Sequence, residues 1–372
     1  MTLPVVALGI VISVVAASFS YKLVETKLRD AIFGHAKAIS PQRWTLIIIG
    51  ALAILALFIA THLTTGFEAL RTRELPAPAR QQLADYRATS DDWVGLAPCE
   101  QRWRIGMAQG CVLGKGNRQR VAVIGDSHAE QMIPRLKRIA AEGNVEITVL
   151  RSFGCAPLTG LFWTRGEDEC AIFANRVFSY VAKEKYDRVI VHAAWALYFG
   201  DSVSHWTPGA FCSPRWWGCR RENDAATDAD RVEAAFSQLA KQIQSLRASG
   251  SEAAVVLPEP FNFGVLPRDY YRQVFFSGKE IRPSIDRTQF EKRTSWVRGK
   301  LIMVAAASGA LPIDPLTYQC DAKSCLLTLN SRFIYKDKHH LRASIVGTAT
   351  EFGYLDHFVR HGAGRGIVGR VR

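Results

Sequence analysis

The chain has 372 residues, enough for two ordinary domains or one large one with decoration. A hydrophobic fraction of 48 %, a charged fraction of 22 % and nine tryptophans exclude a disordered or fibrous chain. The 47 Lys and Arg exceed the 34 Asp and Glu by 13, yet no basic helix with interleaved aromatics accompanies the excess. The charge therefore points to an anionic surface and not to nucleic acid.

In chain order, residues 3–20 and 44–63 form two runs without Asp, Glu, Lys or Arg. Each matches the ~20 apolar residues that a transmembrane helix needs. No Lys or Arg precedes the first run and a second run follows, which favours a spanning helix over a signal peptide. The loop between them carries Lys22, Lys27, Arg29, Lys37 and Arg43 against Glu25 and Asp30. Short basic loops stay in the cytoplasm, so residues after Leu63 are expected outside, in a two-pass inner-membrane topology with a periplasmic C-terminal part. All eight cysteines follow the second run, as disulfides in an oxidising compartment would. Close spacing suggests Cys99–Cys111, Cys155–Cys170, Cys212–Cys219 and Cys320–Cys325. No pair has C-x₂-C spacing or a neighbouring histidine pair, so no metal site is expected.

Residues 67–93 read as a linker, where two prolines in ELPAPARQQ break a charged helical start. Beyond it, residues 94–357 alternate strand and helix patterns. The strands are RVAVIG (120–125), VEITVL (145–150), RVIVHAAW (188–195), EAAVVLPEP (252–260) and ALPID (310–314). Helical patterns lie at 130–142, 172–183, 228–248 and 288–307. Such alternation predicts an α/β domain with a parallel sheet and helices on both faces. Residues 200–223 read as a loop excursion and 358–372 as a flexible basic tail.

The most informative stretch is Gly125-Asp126-Ser127-His128, where a strand runs into a helix. A serine there stands clear of the carboxyl ends of the strands, where open α/β sheets bind ligands. Composition alone yields roughly 0.002 such tetrapeptides per chain, against about 0.4 for Asp-x-x-His. An Asp-x-x-His pair, Asp337 and His340, follows the fifth strand, where the chain returns toward the first strand's end. Three-residue spacing lets Asp337 accept from Nδ1–H of His340 and turns Nε2 toward Ser127. His339 lacks that spacing. The bland alternatives are a helix cap at Asp126-Ser127 and a solvated turn at 336–341.

These blocks resemble the SGNH hydrolase superfamily, with Gly-Asp-Ser first and Asp-x-x-His last. Tyr21–Arg29 (YKLVETKLR) is similar to the end of the membrane domain in acyltransferase 3 proteins, in which a helix bundle precedes an exported SGNH domain. Cys155–Leu158 (CAPL) and VIVHAAW also resemble that fused subtype. The resemblance implies an SGNH-hydrolase-like, flavodoxin-like three-layer fold behind two transmembrane helices. It implies a chain that starts within the last helix of that bundle, without the intramembrane acyl-donor site. It also implies a Ser127–His340–Asp337 triad with an oxyanion hole from Ser127 and Gly154. Two positions depart from the pattern. The third block's asparagine has no match, His192 and Trp195 standing there, and Arg342 replaces a small serine after His-Leu.

The expected protein is a membrane-tethered, extracytoplasmic serine O-acyltransferase or esterase that needs no cofactor. Its acceptor would be a surface carbohydrate, its acyl group acetyl-like, and a separately encoded acyltransferase membrane domain a candidate partner. The alternative is a non-catalytic carbohydrate-binding or docking module serving another acyltransferase.

Overall fold

The computed structural model describes residues 71–105, 108–115, 119–159, 169–199, 228–261 and 267–363, with the isolated positions 21, 49 and 50. Both apolar runs fall outside these residues apart from 49 and 50. Among the described residues no helix is long and apolar enough to cross a membrane. The chain divides into two compact units, Met1–Leu83 with Tyr271–Ile281, and Ala84–Tyr270 with Arg282–Arg372.

The first unit gathers a small apolar cluster of Leu75, Ala79, Leu83, Val274 and Phe275. The Gln82 side chain is bonded to both backbone polar groups of Ile281, donating to its carbonyl at 2.7 Å and accepting from its N–H at 3.0 Å. Part of the expected linker is therefore structured. Helix α1, Ala77–Arg87, begins just after Pro76 and holds Pro78 in its first turn. Proline is tolerated there because the first N–H groups of a helix have no intrahelical partner.

The second unit is built on a seven-stranded sheet. Its strands are β1 (Gln101–Ile105), β2 (Ala108–Leu113), β3 (Gln119–Gly125), β4 (Val145–Arg151), β5 (Arg188–His192), β6 (Glu252–Val256) and, after the three-residue β7 (Ser284–Asp286) that lies outside this sheet, β8 (Leu311–Ile313). They are ordered β1-β2-β4-β3-β5-β6-β8. The pairs β4·β3, β3·β5, β5·β6 and β6·β8 are parallel. β1 and β2 form an antiparallel hairpin, with β2 antiparallel to β4. That hairpin is absent from the sequence reading, in which the first strand is β3.

Alternate residues of β3 face opposite layers: Ala122 and Ile124 enter one core, Val121 and Val123 the other. Burial on both faces is why the parallel strands read as unbroken apolar runs. The expected helix at 130–142 is two pieces, α2 (Ser127–Gln131) and α3 (Ile133–Glu142), which meet at Met132 with Pro134 in the first turn of α3. The first core is covered by α4 (Glu169–Glu184), the short α5 (Trp195–Phe199), α6 (Asp228–Ala248) and, beyond α7 (Pro267–Ser277), α8 (Arg287–Ser308). The opposite core takes α3 and the C-terminal segments. The expected tail also starts late. Asp356–His361 is helical, with Phe358 and Val359 buried.

Disulfides join Cys99–Cys111, Cys155–Cys170 and Cys320–Cys325, as their spacing suggests, with separations of 12, 15 and 5 residues. The Cys212–Cys219 pair lies outside the described residues. A cross-link stabilises chiefly by restricting the unfolded chain, so the longer loops contribute more. Replacing Cys155 and Cys170 together by serine is expected to lower unfolding stability by about 3 kcal/mol, and the Cys320–Cys325 pair by about 2 kcal/mol, in denaturant titrations. Thiol counting under denaturing, non-reducing conditions should find no more than two of the eight cysteines reactive.

Candidate active site

The site grows from the carboxyl end of β3. Gly125 is in register with Arg151 of β4 and His192 of β5. A Cβ on Gly125 would overlap the His192 carbonyl oxygen and stand 2.8 Å from the Ala129 Cβ, so only glycine fits. Asp126 then caps α2, accepting from the His128 N–H at 2.8 Å. Its second carboxylate oxygen accepts from the Ala194 N–H at 3.0 Å and from the Tyr198 hydroxyl at 2.6 Å. The cap reading of Asp126 is thus correct, and the cap also ties the serine turn to the end of β5.

Ser127 opens α2 and is 8 % exposed. His340 Nε2 lies 2.8 Å from its Oγ, and His340 Nδ1 lies 2.8 Å from Asp337 Oδ2. The other Asp337 oxygen accepts from the backbone N–H groups of His339 and His340 at 3.0 and 2.8 Å. Burial opposes ionisation of Asp337, but the His340 hydrogen bond and charge and these N–H groups hold its carboxyl below the usual range. The carboxylate fixes Nδ1 of His340 as the protonated nitrogen, leaving the Nε2 lone pair toward the serine hydroxyl.

A second histidine chain runs beside the first. His128 is buried, with Nδ1 3.1 Å from Glu259 Oε2 and Nε2 3.1 Å from His339 Nδ1. Glu259 also accepts from Gln131 Nε2 at 2.7 Å and from the Tyr354 hydroxyl, and His192 Nε2 stands 3.4 Å away. Burial works against the Glu259 charge, but His192 and His128 hold its carboxyl well below the ordinary range. Burial likewise disfavours a charged His128, yet its Glu259 hydrogen bond and the carboxylates around it raise its pKa. Burial, then repulsion from His128 and His340, pushes His339 down to about 3. The two neighbouring rings are thus shifted in opposite directions, His128 up and His339 down.

Of the residues singled out in the sequence, Ser127, His340 and Asp337 come together. His192 reaches the Glu259 network, whereas Trp195 packs into the core on the other face, beside Phe236. Gly154 lies on the turn after β4 at φ +65°, and the Ser152 N–H donates to the Gly125 carbonyl at 3.2 Å. Arg342 is explained. Its buried guanidinium donates to Asp92 Oδ2 at 2.8 Å, Asp85 Oδ2 at 2.7 Å and the Phe333 carbonyl at 2.9 Å. It clamps the segment that carries Trp93, whose ring stands edge-on to His340 at 5.4 Å. Glu259, Gln131, Tyr354, Trp93, Asp85 and Asp92 escape the sequence reading. Only Glu259 leaves a readable trace, as an acid between two prolines just past an apolar strand.

A serine at the carboxyl edge of a largely parallel sheet, joined to histidine and aspartate by hydrogen bonds, defines the class of serine-hydrolase-like α/β domains. Residues 98–346 match the family described as SGNH domain (fused to AT3 domains), and the chain belongs to it. No curated protein matches its sequence. Among solved structures it is similar to the periplasmic domain of a lipopolysaccharide acetyltransferase from Salmonella ser. Paratyphi A, at 14 % identity and TM-score 0.44, over 66 % of this chain and 83 % of that one. It is also similar to an aryl esterase from M. smegmatis (13 %, TM-score 0.37, 65 % and 98 %). A carbohydrate acetylesterase from Sinorhizobium meliloti gives 12 %, TM-score 0.35, 64 % and 95 %. Likeness at this level says nothing about substrate.

Removing one partner of a buried ion pair leaves the other charge stranded. Arg342→Ala removes the cation shared by Asp85 and Asp92, while Asp85 keeps Arg332 at 3.2 Å and Asp92 keeps the Ser344 N–H, and is expected to cost about 3 kcal/mol in denaturant unfolding.

Proposed function

We propose that this protein is a membrane-tethered, extracytoplasmic serine O-acyltransferase or esterase that moves or removes an acetyl-like group on cell-surface polysaccharide or glycolipid. The observation that carries the reading is the unbroken hydrogen-bond chain from Ser127 through His340 to Asp337. Serine alone is a weak nucleophile, and this geometry supplies both base and orienting carboxylate. Nε2 of His340 takes the hydroxyl proton as Oγ bonds to the ester carbonyl carbon. The backbone N–H groups of Ser127 and Gly154 are the proposed donors to the resulting oxyanion. Collapse breaks the ester C–O bond, and His340 returns the proton to the departing alcohol. A sugar hydroxyl or water then gives its proton to Nε2 as its oxygen bonds to the acyl carbon, and Nε2 passes that proton to Ser127 Oγ as the acyl–Oγ bond breaks. The carbohydrate acceptor comes from the family resemblance, and a separate membrane acyltransferase domain is the proposed source of the acyl group.

The two apolar runs and the basic loop between them support the membrane tether, and three disulfides support an oxidising compartment. A reporter active only in the cytoplasm, fused after Arg372, is expected to stay silent. A bright reporter would reverse the topology.

A fluorophosphonate probe labels only an activated serine, and reads the site in the full-length protein. Labelling should vanish in Ser127→Ala and fall on the order of 10³–10⁴-fold in His340→Ala. Asp337→Ala should lose less, because a misoriented base still accepts protons, and His339→Ala least of the three. If folded wild type is never labelled yet binds surface glycan, the protein is the docking module instead.

A further inference from the structure

Three histidines from two distant segments converge at the site, and the triad uses only one of them. One ring nitrogen each from His128, His339 and His340 lies within 4.8 Å of the other two. His128 Nε2 and His339 Nδ1 are 3.1 Å apart. Bonds of ~2.0–2.1 Å from imidazole to zinc place two ligand nitrogens on one ion about 3–4 Å apart, so small ring rotations close the set.

The outer partners match as well. A histidine that binds metal usually donates its other ring N–H to a carboxylate or carbonyl, which fixes the tautomer and raises its basicity. Here Nδ1 of His128 faces Glu259 at 3.1 Å and Nδ1 of His340 faces Asp337 at 2.8 Å. In both rings the nitrogen that does not face a carboxylate is Nε2, which meets His339 Nδ1 in one case and Ser127 Oγ in the other. Glu259 is in turn held by Gln131 and Tyr354, so the inner end of the site is built and rigid. His128 is buried while His339 and His340 are half-buried, so the cluster runs from the interior toward the surface. Three imidazoles suit zinc, copper and nickel, and exclude the harder calcium and magnesium.

We propose that His128 Nε2, His339 Nδ1 and His340 Nε2 form a binding site for a divalent transition-metal ion of the zinc class, and that the bound ion takes His340 away from Ser127. Nε2 of His340 is also the atom that bonds Ser127 Oγ at 2.8 Å, and one lone pair serves one partner. Metal occupancy and serine activation therefore exclude each other. This second half rests on the proposed role of Ser127 and His340; the first half does not.

The test uses full-length protein purified in detergent and stripped with a chelator. Zn²⁺ is titrated calorimetrically, and Co²⁺ is added to read its visible ligand-field bands. One equivalent should bind, with a Co²⁺ spectrum typical of four-coordinate ligation by three imidazole nitrogens and one water. His339→Gln, on the half-buried loop, should weaken Zn²⁺ at least tenfold, as should His128→Gln, and Glu259→Gln tenfold to a hundredfold. Circular dichroism establishes that each variant is folded. Saturating Zn²⁺ should cut fluorophosphonate labelling of wild type at least tenfold, and chelator should restore it. The proposal is overturned if no stoichiometric ion binds wild type, or if folded His339→Gln and His128→Gln bind it unchanged. Labelling that persists or rises with Zn²⁺ bound overturns the exclusion. Metal-free wild type that binds Zn²⁺ stoichiometrically but is never labelled sinks the serine reading and leaves the metal site standing.

Discussion

One buried carboxylate organises this site without belonging to the triad. Glu259 sits just past β6, 6 % exposed, where an isolated charge would be costly. It is tolerated because His128, Gln131 and Tyr354 all bond to it and His192 stands close. Those partners come from α2, from the end of β5 and from the segment near residue 354. Satisfying one anion thus fixes where three separate pieces of chain meet. Gln131 passes the constraint on. Its amide nitrogen is held by Glu259, and its oxygen accepts from the Leu341 N–H at 2.9 Å. That bond anchors the backbone immediately after His340, so the base is aimed from beneath as well as by Asp337.

From the other side the same loop is gripped by Arg342. A small residue at that position could make no such clamp. The guanidinium reaches Asp85, Asp92 and the Phe333 carbonyl, so the histidine loop, the segment before Trp93 and the two-residue strand Arg332–Phe333 share one cation. A buried ion cluster is a poor source of net stability compared with well-packed apolar groups. Its value here is in register. The loop from Tyr335 to Leu341 has little regular structure of its own, and two polar anchors just after His340, at Leu341 and Arg342, replace the ladder that a strand would supply.

Legibility in the sequence follows the range of the interactions. Gly125-Asp126-Ser127-His128 can be read because its physics is local: a close approach, a cap and a turn within four residues. Asp337 and His340 are readable for the same reason, being three apart. The parallel strands β3 to β6 announce themselves as apolar runs. The β1–β2 hairpin does not, because QRWRI is only five residues long and alternates polar and apolar residues over just its last four. His128 pairs with Glu259 across 131 positions and with His339 across 211, and neither contact leaves a spacing to count. In α1 the cue misleads in the opposite direction. Prolines that stop one helical pattern also open the next.

A pattern that joins these observations lies along the carboxyl edge of the sheet. Four adjacent strands, three of them apolar through their interiors and β4 broken only by Glu146 and Thr148, then turn polar: β3 at Asp126, β4 at Arg151, β5 at His192, and β6 at Glu259 a few residues on. All four side chains are buried. Arg151 lies 2.8 Å from Glu130, and Asp126 holds the start of α5 through the Ala194 N–H and Tyr198. No apolar core wants this row, and each member needs a partner from another segment to remain buried. Those partners are what position Ser127, His128 and, through Gln131, His340. The strands that make the domain stable and the polar residues that make the site are thus consecutive in sequence. The change from apolar to polar at each strand's end marks where folding stops being the only demand on the chain.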